Sequence, residues 1–121
     1  LQQVRQRGAY LKERLDGLEE KHPSVGRVSG RGLFYTVDLV DGEGAPIVPE
    51  DRYSAFTGDL GDMPNNIIAR ENAKRGVFLG GFTPNTIKLG PPFTITQDEI
   101  ALAVDSFDQA LDVIDDKFVK N

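Results

Sequence analysis

Few residues in this chain of 121 have types and spacing suited to chemistry. Cysteine is absent, which excludes disulfides and thiolate nucleophiles. The single histidine, His22, stands before Pro23 and has no partner ligands in sequence, so it reads as a solvated turn residue rather than a metal ligand. No glycine-rich loop opens a helix in the way a phosphate-binding turn requires. Two glycine-containing runs remain. Gly30-Arg31-Gly32 interrupts an alternating strand. One reading is a bulge or a close backbone approach inside a bent strand. In the other, Arg31 sits on a bend where its guanidinium could reach a carboxylate or phosphate, or pair across an interface. Gly80-Gly81-Phe82-Thr83-Pro84 reads as a turn, and Lys88 in the strand that follows reads as an exposed cation with its stem laid along apolar surface.

The elements that must position these residues follow from periodicity. Val4, Gly8, Leu11, Leu15 and Leu18 form one face of an amphipathic helix over residues 1–20, stopped by Lys21-His22-Pro23. Arg5, Arg7, Lys12 and Arg14 fall on its solvated face. Residues 25–40 read as two strands, and Leu33, Tyr35, Val37 and Leu39 share the inward face of the second. Residues 41–64 form a long irregular connection, which Tyr53 and Phe56 would pin down. A short helix over residues 65–75 faces inward through Ile67, Ile68 and Ala73 and ends at Gly76. Val77-Phe78-Leu79 reads as a buried strand, and Asn85 to Leu89 as its antiparallel partner. Gly90-Pro91-Pro92 ends that strand because neither proline can donate to a ladder. Thr96 and Glu99 have capping-box spacing, and Ile100, Val104, Phe107, Leu111, Ile114 and Phe118 give a long final helix over residues 97–120. The order α-β-β-α-β-β-α predicts an α+β, two-layer sandwich: an antiparallel sheet of about four strands with helices on one face.

Composition bounds the class. The length suits one domain, spanning residues 1–121. With 19 acidic and 14 basic residues, a net charge of −5 and a mean hydropathy of −0.34, the chain lacks the basic patch that nucleic-acid binding requires. No apolar run approaches the ~18 residues of a membrane span, and no secretory leader is recognisable, so a cytoplasmic location is the expectation. Leu1-Gln2-Gln3 already lies within a helical pattern and no Met precedes it, which suggests a fragment of something longer.

Two motifs then resemble a known family. Ile87-Lys88-Leu89-Gly90-Pro91-Pro92-Phe93-Thr94-Ile95-Thr96 with its following helix, and Val28-Ser29-Gly30-Arg31-Gly32-Leu33-Phe34 earlier, resemble the C-terminal small domain of class III (ω-amino acid:pyruvate type) pyridoxal-phosphate aminotransferases. Order and spacing agree, and the resemblance runs from about Val4 to the end. It implies an enzyme that moves an amino group from an ω-amino acid or amine to a 2-oxo acid such as pyruvate, as a homodimer. It also implies that pyridoxal 5'-phosphate and its lysine belong to a large domain absent from this chain, so that this domain contributes no catalytic, cofactor-binding or metal-binding residue and is inactive alone. The substrate-pocket residues so implied are Lys88, Gly80, Gly81 and Phe82. Many family members carry an arginine where Lys88 stands, and lysine keeps the charge while losing the planar fork that grips a carboxylate. Lys88 would then make a weak carboxylate or sulfonate contact. A free-standing α+β module that binds a small ligand or pairs through its sheet edge is the competing expectation.

Overall fold

The computed structural model describes residues 2–48, 63–77 and 80–119. The chain opens with α1 (Gln2–Lys21), whose buried residues Gly8, Leu11, Leu15 and Leu18 recur at helical spacing. β1 (Val25–Arg31) and β2 (Phe34–Leu39) pair antiparallel through a two-residue loop, Gly32-Leu33. Gly32 has φ +59°, so the glycine at the first loop position supplies the geometry of a tight hairpin. The Gly30-Arg31-Gly32 run is therefore a hairpin end rather than a bulge within one strand. The register shift lies earlier, between Val25 and Arg27. The close-approach reading does hold for Gly30, since a Cβ there would meet the Phe34 carbonyl oxygen at 2.1 Å.

α2 (Pro64–Ala73) starts with proline at its first turn, where the missing N–H costs nothing. It buries Ile67, Ile68 and Asn72, while Ala73 is exposed. Gly76, with φ +75°, reverses the chain. β3 (Gly80–Thr83) and β4 (Thr86–Leu89) form a second hairpin that turns at Pro84-Asn85. The glycines expected to make the turn are thus strand residues, because pairing with β4 outweighs the poor strand preference of glycine. Phe78 and Leu79, like Tyr53 and Phe56, lie outside the described residues. α3 (Gln97–Ile114) begins with the expected capping box, in which Thr96 and Glu99 bond reciprocally at 3.1 and 3.0 Å. It passes into a π-helical turn, Asp115–Val119.

The four strands lie in the order β1-β2-β4-β3. Tyr35, Val37 and Leu39 of β2 and Ile87 and Leu89 of β4 are buried in one core with residues of α1, α2 and α3. On the opposite face Phe34 is 49% exposed and Lys88 is exposed. This is the expected two-layer α+β arrangement, with helices on one side of an antiparallel sheet.

Candidate functional site

Lys88 is central in the sheet. It sits opposite Thr36 of β2 and Gly80 of β3, and directly opposed residues share a face. The sheet thereby brings Lys88 and Gly80 together, and glycine adds no side chain beside the lysine. Gly81 pairs with Ile87, so it belongs to the other face. Phe82 falls at the register shift between Gly81 and Thr83. The Lys88 ammonium lies 5.3 Å from the centre of the Phe34 ring, a cation–π distance. An aromatic partner fixes the position of a cation without neutralising it, which leaves the ammonium able to receive an anion.

Immediately beyond Lys88, Gly90-Pro91-Pro92 carries the backbone past the strand end, and the Ile95 N–H donates to the Pro92 carbonyl at 3.0 Å to turn the chain into α3. Between this segment, α1 and the first turns of α3 lies a cleft of about 450 Å³, lined by Lys88 with apolar groups that include Leu11, Leu89, Ile95 and Ile100. A single cation at the margin of an apolar cleft is suited to orienting a substrate whose other end is apolar or acidic. Arg31, exposed at the end of β1, pairs directly with Phe34 and so shares its face of the sheet, two strands from Lys88.

The described lysines are engaged at the surface. Lys12, Lys21 and Lys74 each pair with a carboxylate, Lys117 lies over Phe118, and Lys88 lies over Phe34. None of these lysines is buried.

A second cluster was not legible in the sequence. His22 is only 1% exposed, so it is a buried residue and not a solvated turn residue. Its Nε2 lies 2.6 Å from Asp108 Oδ1 and its Nδ1 lies 2.6 Å from Asp115 Oδ2. Ser24 donates to Asp115 Oδ1 from both its backbone N–H, at 3.1 Å, and its hydroxyl, at 2.5 Å. Lys21 adds a 3.0 Å bond to Asp108. Burial by itself would raise the Asp108 carboxyl, but the bonds from His22 and Lys21 outweigh it and hold the group below its ordinary value. Ligand atoms of His22, Asp112 and Asp115 also lie within 4.8 Å of one another, a spacing that could hold a cation. The available signal was the placement of Asp108, Asp112 and Asp115 at i, i+4 and i+7 on one helix face.

Taken together, the fold and the cation-bearing face define a small α+β domain that presents one open sheet surface and one apolar cleft. The profile of the family described as Aminotransferase class-III matches residues 1–111, and the chain belongs to that family. It is 33% identical over 111 residues to acetylornithine aminotransferase of Bacillus subtilis, covering 92% of this chain and 23% of that protein. It is 31% identical over 106 residues to the mitochondrial alanine–glyoxylate aminotransferase 2 homolog 2 of Arabidopsis thaliana, covering 86% of this chain and 20% of that protein. The crystal structure of an S-selective transaminase from Arthrobacter sp. superposes with a TM-score of 0.85 at 31% identity, over 95% of this chain and 25% of that one. The chain thus spans no more than about a quarter of the length of these relatives.

Proposed function

We propose that the chain is the C-terminal small domain of a pyridoxal-phosphate-dependent enzyme that transfers an amino group from an amine or ω-amino acid to a 2-oxo acid such as pyruvate. In this reading the cofactor and its lysine are held by another part of the protein, and the whole protein works as a homodimer. The observation that carries the site assignment is the position of Lys88, beside the side-chain-free Gly80 and at the margin of an apolar cleft. Lys88 receives the carboxylate or sulfonate of the donor as a point charge, while the cleft takes the apolar part of the substrate. Phe34 holds the lysine stem in place. A lysine confers weaker orientation than a planar fork would, so the reading favours donors whose acid group lies far from the amine, and simple amines, over α-amino acids.

The test uses the full-length protein loaded with pyridoxal phosphate. The visible band of the lysine-bound cofactor should be bleached by amine donors and restored by pyruvate. Lys88→Gln should raise KM about tenfold for donors that carry a carboxylate or sulfonate, the loss of one charge-assisted contact. KM for a simple amine should be unchanged. A band that no donor bleaches would sink the aminotransferase reading and favour the ligand-binding module. Equal KM changes for both donor types would leave Lys88 a surface lysine.

A further inference from the structure

On the open face of the sheet the register sets Ser29, Thr36, Lys88 and Gly80 side by side in one row across the strands. Arg27, Asp38, Thr86 and Thr83 form the neighbouring row on the same face. In that neighbouring row the Thr86 hydroxyl is spent on Asp38, to which it donates at 3.3 Å. Thr36 differs. It is half-buried in β2, and among the described residues its hydroxyl has no hydrogen-bond partner. Directly opposed residues on one face have Cβ atoms about 5 Å apart, so this hydroxyl stands beside the root of the Lys88 side chain. The Lys88 ammonium is held over Phe34, which lies two residues from Thr36 on the same strand and so on the same face. On the other flank of Lys88 is Gly80, with no side chain to take up the ammonium.

We propose that Thr36 is a specificity-determining residue of the site, and that its hydroxyl donates the second hydrogen bond to the substrate acid group whose charge Lys88 meets. This rests on the reading of Lys88 given above. An ammonium is a point charge and leaves a carboxylate or sulfonate free to pivot, whereas a guanidinium supplies two donors in one plane. Here the two donors come from neighbouring strands, the charge from β4 and the orientation from β2. A hydroxyl can donate to an ionised acid without bringing a charge of its own, so it adds direction to the contact and leaves the electrostatics to the lysine. The substrates that gain are those whose acid group offers separate oxygens to the two donors, a carboxylate or a sulfonate. A simple amine gains nothing from Thr36. Ser29 and Arg31 share the face but stand on β1, one strand beyond Thr36.

The test uses the full-length protein loaded with pyridoxal phosphate and its Thr36→Val, Thr36→Ser and Lys88→Gln variants. Valine keeps the branched shape that a strand favours and removes the hydroxyl. The kinetic readout is the ratio of KM for β-alanine, an ω-amino acid, to KM for butylamine. Thr36→Val should raise that ratio about fivefold, the loss of one neutral hydrogen bond, and Thr36→Ser should restore it. In a Lys88→Gln background the same valine substitution should have a smaller effect, because the two side chains act on one acid group. An unchanged ratio, or a serine variant as impaired as the valine variant, would overturn the role of Thr36. Saturation-transfer NMR with butanoate, which carries the acid group and no amine, reads the same contact without turnover, and its Kd should rise about fivefold in Thr36→Val. If no donor bleaches the cofactor band but butanoate binds in this Thr36-dependent way, the aminotransferase reading falls and the acid site stands. Equal butanoate affinity in wild type and Thr36→Val would overturn the acid site whatever the kinetics.

Discussion

Asp108 gives the fold a pH dependence. Its folded carboxyl lies below the ordinary value because His22 and Lys21 outweigh burial. A depressed carboxyl stabilises the fold fully above its unfolded value, and that contribution is lost as the pH falls through its folded value. Replacing it by Asn should cost about 2 kcal/mol at pH 7, the scale of a charge-assisted hydrogen bond. In urea titrations the gap between wild type and Asp108→Asn should close as the pH is lowered to about 3. At this scale the sequence was legible where a residue acts through its neighbours in the chain, as Thr96 and Glu99 do across three positions. It was not legible where partners are distant. His22 and Asp115 are 93 positions apart, and only the packing of α1 on α3 makes a histidine before a proline a buried hydrogen-bonding partner of carboxylates. Asn85 is a similar case: it read as the first residue of a strand, yet its side chain brackets the Val48 backbone, accepting at 2.9 Å and donating at 2.6 Å.

Helix α1 shows how an element is positioned by what it lacks. A Cβ on Gly8 would meet the carbonyl oxygen of Gly32 at 2.5 Å, so the helix rests directly on the β1–β2 hairpin loop. Gly17, in the same helix, has nothing within 4 Å of its would-be Cβ. Gly8→Ala should therefore destabilise by about 1–3 kcal/mol through overpacking against backbone that cannot step aside. Gly17→Ala should stabilise by up to about 1 kcal/mol, the difference in helix propensity. Thermal unfolding of the two variants checks both signs. Element boundaries were readable wherever an apolar stripe met a stop, as at Pro23 and Gly76. They failed at β3, where Gly80 and Gly81 read as a turn and are instead paired strand residues.

Among the described residues, three helices and the strands β1, β2 and β4 share one core that includes Phe107, which is fully buried. Phe107→Ala should cost about 3–5 kcal/mol, visible as a lower urea midpoint. The layer arrangement was readable from element order because amphipathic helices and alternating strands have few ways to bury their apolar sides together. The placement of β4 between β2 and β3 was not, since no local pattern records which strands become neighbours. That placement governs how the chain finds its shape. Each hairpin closes over a two-residue loop, whereas Tyr35 meets Leu89 across an interval of 54 residues (89 − 35). The hairpins can form early and independently, and their union is the slow search that sets the folding rate. Because loop-closure entropy grows only logarithmically, doubling the segment between them costs about 0.6 kcal/mol. The length of the interval between the two hairpins is therefore a weak determinant of the stability of the sheet that carries Lys88.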